Sequence, residues 1–225
     1  MNNFFENEIK PNVFFVDCFN TVIHRKIKTN QIFKNWADEL SAKYNLSGKL
    51  IYKTYKKVNF RLCFKKIFAG FILQEQFTEV LKQMFFKLFH HGSKVELKIF
   101  IETALSIYET EESKVHYVNP KFIDFLKRAK ENGKKIYIVS DFYCPSKSIH
   151  HWLDQLSIDD IFDDVFSSCD YKKEKSTKGL YKLLIKKLSL NKKDIIMFGD
   201  NSWSDVFMAK MCGLAAKKIT KKDWR

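Results

Sequence analysis

Acidic and hydroxyl side chains follow apolar segments at several points of this chain. Asp17 comes directly after the apolar run 13–16, Ser140 ends a second apolar run, and Asp200 ends a third. Parallel strands carry their carboxyl ends to one edge of a sheet, and open α/β sheets bind ligands there. If these runs are neighbouring strands, their carboxylates form a hard oxygen site suited to Mg²⁺, with Asp205 beside it.

A hydroxyl and an ammonium group would complete such a site. Lys175 stands where a helix is expected to begin, and Ser140 ends a strand. Each residue also has a structural interpretation, because serines often end strands, lysine runs are usually solvated, and Asp205 suits the first turn of a helix. Taken together, a metal, positive charges and an aligned nucleophile are the requirements of phosphoryl transfer.

The elements that must position these residues alternate along the chain. The run 13–16 is short, apolar and rich in Val and Phe, as in a strand buried on both faces. Further strands are predicted at 135–140, 164–168, 194–200 and 214–219. Helices are predicted at 120–131, 145–156, 176–188 and 204–211. This alternation predicts an α/β fold, with a Rossmann-like parallel sheet flanked by helices.

The region between the first and second strands has a helical pattern. Thr29 and Ser93 are predicted helix starts, and Gly48, Gly70 and Gly92 divide the region into about four helices. We therefore expect a core domain of residues 1–25 and 118–225, with an all-helical cap domain, 26–117, inserted after the first strand as a lid. Two apolar stripes at helical spacing are expected to pack inside this bundle: Phe60, Phe64, Ile67, Phe68 and Phe71, and Phe77, Leu81, Met84, Phe85 and Leu88.

Composition limits the environment and the partners. The 225 residues carry a formal net charge of +14, which favours anionic partners such as phosphate esters, nucleic acid or a membrane surface. Nucleic acid is disfavoured because the aromatic residues near the basic stripe Lys57, Arg61 and Lys65 fall at core spacing. An odd number of cysteines, five, without a CxxC pair favours a reducing compartment. With no signal peptide or spanning segment predicted, we expect a cytoplasmic protein without a membrane partner.

Four segments, in order, resemble the four motifs of the haloacid dehalogenase-like (HAD) superfamily. Those motifs are an apolar strand followed by Asp and, four positions on, Thr; a strand ending in Ser or Thr; a Lys before a helix; and Gly-Asp followed by a further Asp. The matching residues are 17–21, Ser140, Lys175 and 199–205. The helical insertion lies where many members of the superfamily carry a helical cap.

One branch of the superfamily is more similar still. Its first motif contains Asp-x-Phe-Asp-Thr with an Arg shortly after, and its second strand is followed by Ser-Asp-x-Tyr. Here the corresponding segments are 16–22 with Arg25, and 140–143. Members of this branch are often linked to bacterial surface polysaccharide synthesis, so the resemblance implies a role of that kind.

The resemblance implies a Mg²⁺-dependent phosphatase. Asp17 would be the nucleophile and form an aspartyl-phosphate that water then hydrolyses. Asp17, Asp200 and the backbone oxygen of Phe19 would bind Mg²⁺, with Asp205 binding the metal or its waters, or orienting Asp200. Catalytic Lys175 and Ser140 would hold the phosphate oxygens, with Lys178 as the alternative to Lys175. Further substrate-binding or phosphate-binding residues would be Asp141, Asn20 and Arg25.

The first motif departs from the pattern at Phe19. HAD phosphatases usually place there a second Asp, which protonates the leaving alcohol, and neither Phe19 nor Asn20 can do so. Loss of such an acid slows the expulsion of a poor leaving group by ~10²–10⁴-fold. Another acid, a better leaving group or weak turnover would each fit.

Three further functions therefore remain beside hydrolysis of a small sugar, polyol or amino-alcohol phosphate. The first is a catalytically weak module that binds a phosphate ligand or a partner. A dehalogenase ranks below it: dehalogenases also lack the second Asp, but they need no metal, whereas Asp200 and Asp205 favour one. A nucleic-acid binder also ranks below it, because only the net charge suggests that function.

Overall fold

The protein is described by a computed structural model that covers residues 10–68, 76–90 and 92–220, with side chains described for all of these except 65–68. The chain forms two compact units, one of Met1–His24 with Tyr117–Arg225 and the other of Arg25–His116. The strands in chain order are β1 (Val13–Val16), β2 (Ile23–Arg25), β3 (His116–Val118), β4 (Lys135–Ser140), β5 (Asp164–Ser167), β6 (Ile195–Gly199) and β7 (Ala215–Lys218).

Five of these strands form one parallel sheet in the order β5-β4-β1-β6-β7, which confirms the predicted α/β fold. Strand β1 lies in the centre, and all four of its residues are buried because helices cover both faces of such a sheet. Val16 is paired with Ile138 of β4 on one side and with Phe198 of β6 on the other. The residues that follow Val16, Ile138 and Phe198 therefore reach the same edge of the sheet. Strands β2 and β3 pair with each other where the chain leaves and re-enters the first unit.

The helices of both units largely occupy the predicted regions. They are α1 (Thr29–Tyr44), α2 (Gly48–Phe68), α3 (Phe77–Phe89), α4 (Lys94–Ser113), α5 (Pro120–Glu131), α6 (Ser146–Gln155), α7 (Ser168–Tyr171), α8 (Gly179–Lys187) and α9 (Met208–Met211), with a π-helical turn at Ser202–Phe207 before α9.

Two predicted helix starts of the first unit are wrong by a few residues. The helix expected from residue 176 begins at Gly179, because Lys178 is left-handed with φ 66° and the amide of Leu180 donates to the carbonyl of Glu174. The helix expected from residue 204 is preceded by the π-helical turn, which starts at residue 202. Asn201 caps this turn by accepting hydrogen bonds from the amides of Trp203 and Ser204. The first difference arises from the left-handed backbone at Lys178 and the second from side-chain capping by Asn201, neither of which hydrophobic periodicity reports.

The second unit contains α1 to α4. Thr29 begins α1 as predicted, and Ser93 caps α4 through a capping box with Glu96. Gly48 opens α2, whereas α1 ends at a left-handed Asn45. Gly70 lies outside the described residues. Across the described ranges, no helix combines the length and the apolar character needed to cross a bilayer.

The two predicted apolar stripes differ in burial. Phe77, Leu81 and Met84 are buried in the second unit, so the prediction for their stripe is confirmed. The prediction for the other stripe is wrong at Phe60 and Phe64, which are 69% and 47% exposed. The buried face of α2 carries Ile51 and Val58 instead, about half a turn around the helix. The remaining members of that stripe, Ile67, Phe68 and Phe71, lie outside the described side chains.

The buried carboxylate of Glu112 contacts residues from both ends of the second unit. Glu112 accepts hydrogen bonds from Arg25 and from Tyr108 Oη, the latter at 2.7 Å, and its Oε1 lies 3.0 Å from His116 Nε2. Burial alone would raise the pKa of Glu112, but the bond to His116 and the charge of Arg25 hold that pKa below its usual value. Arg25 is thus engaged in an ion pair within this unit.

Candidate active site

Three carboxylates meet at the carboxyl edge of the sheet in the first unit. Asp17 follows β1, and its amide donates to the carbonyl of Phe198 in β6 at 2.8 Å. Asp200 follows β6, and Asp205 lies in the π-helical turn. Carboxylate oxygens of Asp17, Asp200 and Asp205 all lie within 4.8 Å of one another. Such a set of hard oxygen donors fits Mg²⁺.

An ammonium group lies against two of these carboxylates. The Lys175 Nζ is 2.6 Å from Asp17 Oδ1 and 2.7 Å from Asp205 Oδ1, and its side chain is 1% exposed. Burial would lower the pKa of Lys175, but the charges of Asp17 and Asp205 raise it well above the usual value. Lys178, the alternative considered from the sequence, instead places its charge near the Cys212 thiol. The geometry therefore favours Lys175 at this position.

The electrostatics of Asp17 reflect the crowding of acidic groups. Burial, together with the charges of Asp205 and Asp200, raises the pKa of Asp17 to about 8 against the opposing effect of Lys175. Burial, with the charge of Asp205, likewise raises the pKa of Asp200. One ammonium group thus faces three clustered carboxylates, an imbalance that a divalent cation would offset.

The close approach of Asp205 depends on a glycine. A Cβ atom at Gly199 would lie 2.3 Å from Asp205 Oδ2, so a side chain there would displace the carboxylate. The same oxygen accepts a hydrogen bond from the Asn201 amide at 3.0 Å, and Oδ1 accepts one from Ser204 Oγ at 3.1 Å. Tyr181, which the sequence did not single out, donates to the Ser204 carbonyl at 2.9 Å. These contacts fix the orientation of Asp205.

The two residues after the Asp17-Cys18 pair face different partners. Asn20 adopts a left-handed backbone with φ 60°. Its side-chain amide forms a hydrogen bond with Asp200 that opposes the rise in the pKa of that carboxyl. Phe19 is 9% exposed, and its ring lies 4.4 Å from Phe142 and 5.9 Å from Trp152, between ring centroids. The side chain at the position of the expected acid therefore belongs to an aromatic cluster. The backbone oxygen of Phe19 as a metal ligand stays a prediction.

Ser140 ends β4, the neighbour of β1, and Asp141 follows it. Ser140 is buried at the carboxyl edge, where a phosphate-binding role stays a prediction. Asp141 accepts a hydrogen bond from the Lys175 amide at 2.8 Å and one from the Ser176 amide at 3.2 Å. Burial raises the pKa of Asp141, and the charge of Lys175 and both amides oppose this effect. Asp141 thus holds the backbone of the segment that carries Lys175, a role that the sequence did not reveal.

Arg25 is the predicted site residue that the structure assigns to the other unit. It lies in the second unit and pairs with Glu112 there. The contacts described within the first unit bring together Asp17, Lys175, Asp200 and Asp205, with Asn20 and Asp141 holding two of them in place.

Known proteins share this architecture. A family model described as haloacid dehalogenase-like hydrolase matches residues 11–213, and no curated protein matches the chain. Among solved structures, a 2-haloacid dehalogenase from Pseudomonas syringae pv. tomato is similar at 10% identity, with a TM-score of 0.68 over 92% of this chain and 85% of that chain.

Two further structures are similar over comparable lengths. A Bacillus subtilis protein assigned to the HAD hydrolases, YfnB, was solved with magnesium bound, and it matches at 16% identity and TM-score 0.60 over 94% of this chain and 89% of its own. A Haemophilus somnus protein predicted to be a phosphoglycolate phosphatase matches at 18% identity and TM-score 0.57, over 95% and 87% respectively. Identities this low show a shared fold, and the chemistry must be argued from the site.

Proposed function

Because this chain belongs to the haloacid dehalogenase-like hydrolases, we propose that it is a Mg²⁺-dependent phosphatase that hydrolyses a small phosphomonoester. The observation that carries the proposal is the cluster of Asp17, Asp200 and Asp205 around the ammonium group of Lys175. A dehalogenase needs a nucleophilic carboxylate but no metal, so a cluster of three carboxylates favours phosphoryl transfer. The magnesium-bound structure of YfnB supports the same choice of metal.

Asp17 is the nucleophile in this proposal. An oxygen of Asp17 attacks phosphorus, the bond between phosphorus and the ester oxygen breaks, and the leaving group departs as an anion that takes a proton from water. Water then attacks phosphorus and the bond between phosphorus and the Asp17 oxygen breaks, which releases inorganic phosphate and restores Asp17. Asp17, Asp200 and Asp205 would hold Mg²⁺, which would supply positive charge to stabilise the phosphoryl group.

Other residues hold the phosphoryl group and the nucleophile. Lys175 neutralises charge on the phosphoryl oxygens, and Ser140 donates its hydroxyl proton to one of them. Asp141 keeps the Lys175 segment in place through two backbone amides. Asn20 orients Asp200 through its amide.

The substrate is a small sugar, polyol or amino-alcohol phosphate. Asp17 is only 8% exposed and Lys175 only 1%, so the site admits a phosphate group at the end of a small molecule. The net charge of +14 attracts such anions. We place the enzyme in the cytoplasm, since an odd number of cysteines, five, without a CxxC pair suits a reducing compartment. We place it in a pathway of surface polysaccharide synthesis because its first and second motifs resemble those of that branch.

Phosphate release from a panel of phosphate esters, with and without Mg²⁺, tests the proposal. We expect release that requires Mg²⁺ and is abolished by Asp17→Asn. Asp194→Asn is the matched control, because Asp194 is exposed and lies before the amino end of β6. Release that continues in Asp17→Asn, or no release from any ester by folded protein, would contradict the proposal.

The alternative is a module that binds a phosphate ligand without efficient turnover, and Phe19 favours it. That alternative predicts Mg²⁺-dependent binding of inorganic phosphate, measured by calorimetry, with no ester hydrolysis. Halide release from a 2-haloacid in the same preparation would indicate dehalogenase chemistry instead.

A further inference from the structure

Helix α2 is strongly cationic. Its sequence contains seven Lys or Arg residues and no Asp or Glu. The five cations whose side chains are described are all exposed. They are Lys49, Lys53, Lys56, Lys57 and Arg61.

Two aromatic rings share the outer face of this helix. Phe60 and Phe64 are 69% and 47% exposed, and their rings stack at 5.7 Å with an interplanar angle of 22°. Residues three and four apart share a helix face, so Phe60 lies beside Lys53, Lys56 and Lys57. Large apolar side chains that are exposed next to one another mark interaction surfaces more often than chance.

The positive charge of this face is not neutralised by neighbouring carboxylates in the described part of the chain. Arg61 donates to the neutral side chain of Gln83 at 3.2 Å, and the Lys56 ammonium lies 5.8 Å from the Tyr52 ring centroid. The ion pairs found among the described residues involve other cations, which leaves this face with a net attraction for anions.

We propose that the outer face of α2 binds the surface of an anionic lipid bilayer. The cations from Lys49 to Arg61 extend over roughly 18 Å of helix, and clusters of this size on a helix bind acidic headgroups. Phe60 and Phe64 lie on either side of Arg61 at the end of this stretch, where their rings enter the interface between headgroups and acyl chains. The sequence-based expectation of no membrane partner rested on the lack of a spanning segment, which surface binding of this kind does not need. The proposal therefore departs from that expectation, and it does not depend on the proposed phosphatase activity.

Single-stranded nucleic acid is the other polyanion that cations and aromatic rings attract. Proteins that bind it place their cations and rings along a groove that follows the strand. Here they lie on one face of a single helix whose opposite face, with Ile51 and Val58, is buried. A flat bilayer surface matches that arrangement better than a flexible strand does.

Co-sedimentation of the full-length protein with vesicles tests this proposal. We expect binding to phosphatidylcholine vesicles that contain phosphatidylglycerol, none to pure phosphatidylcholine, and loss of binding at high salt. Each cation near the surface contributes about fivefold to the partition coefficient, so Lys53→Gln with Lys57→Gln lowers it about 25-fold. Phe60→Ser with Phe64→Ser lowers it at least about tenfold at unchanged charge.

The matched control removes the same charge elsewhere. Lys193 and Lys210 are exposed in the first unit, and Lys193→Gln with Lys210→Gln should leave vesicle binding unchanged. Circular dichroism confirms that each variant is folded. An equal loss in the control, equal binding to neutral vesicles, or binding to a single-stranded oligonucleotide without binding to anionic vesicles would each overturn the proposal.

Discussion

Replacing Phe19 with Asp tests whether the proposed active site lacks only a proton donor. Phe19 lies two residues after the nucleophile Asp17, and its ring packs against Phe142 and Trp152. An aromatic ring cannot protonate a departing alkoxide. Wild-type protein should therefore cleave alkyl esters, the class to which the proposed sugar and polyol phosphates belong, more slowly than esters whose leaving group is stable as an anion.

The size of the expected effect follows from these contacts. A positioned general acid contributes ~10²–10⁴-fold, so Phe19→Asp should raise kcat/KM for an alkyl phosphate by up to that factor. The rate for an aryl phosphate should change little, because a phenolate leaves without protonation. The variant also loses a ring that is only 9% exposed, which should lower its free energy of unfolding by about 3–5 kcal/mol.

The assay compares two substrates and two variants. We would measure kcat/KM for p-nitrophenyl phosphate and glycerol phosphate in the presence of Mg²⁺. Phe19→Asn is the control, because it has nearly the same shape as Phe19→Asp and loses the same ring without gaining a titratable proton. Urea denaturation of both variants shows whether the cost of losing the ring is equal.

The expected result is a rise in the ratio of alkyl to aryl activity in Phe19→Asp alone. The reasoning is refuted if both variants change this ratio equally. It is also refuted if the wild-type protein already cleaves alkyl esters as fast as aryl esters, since another group would then supply the proton.

Three further predictions concern Asp141, Glu112 and Asp17. Asp141→Ala removes the acceptor for the amide of Lys175, so we expect kcat to fall about tenfold and the free energy of unfolding by about 2 kcal/mol in urea denaturation. Glu112→Ala leaves Arg25, whose side chain is only 15% exposed, without this carboxylate and should cost about 3 kcal/mol of stability. Because the pKa of Glu112 is lowered on folding, its stabilisation is present above the ordinary Glu pKa and is lost as the pH falls through the folded value, a dependence that Glu112→Gln should remove. Below the pKa of about 8, Asp17 holds a proton that Mg²⁺ must displace. The affinity for Mg²⁺, measured by calorimetry, should therefore rise by up to about tenfold for each unit by which the pH increases toward 8.

Each of these predictions has a contradicting result. An exposed-site control, Asp194→Ala, should leave activity and stability unchanged, and an equal loss there would remove the argument for Asp141. Stability of Glu112→Ala equal to the wild type would show that the buried network contributes nothing. A Mg²⁺ affinity that is constant across pH would show that Asp17 is already ionised in the metal-free protein.

The alternation of apolar runs with helical segments was enough to predict a parallel sheet and to place Asp17, Ser140 and Asp200 at strand ends. Such patterns report local backbone conformation and the side of each element that is buried, because side-chain direction repeats with the period of the element. The order of the motifs along the chain was also sufficient to indicate the family. These inferences depend on neighbours in sequence.

Contacts between distant residues were decided by the tertiary structure. Lys175 meets Asp17 across 158 residues of chain, and Asp141 meets the amide of Lys175 across 34, because the strand order places their loops side by side. No local sequence pattern shows whether Asp141 contacts the substrate or instead accepts hydrogen bonds from the backbone of another loop.

The exposed rings of α2 show the same limit. Phe60 and Phe64 have the spacing of core residues, yet the face that the bundle buries belongs to Ile51 and Val58. The sequence by itself determined the class of fold, the order of the motifs and the unusual Phe19 beside the nucleophile. Only the tertiary structure decided which side chains share the site and which helix face stays exposed, because both depend on the packing of elements that are far apart in the chain.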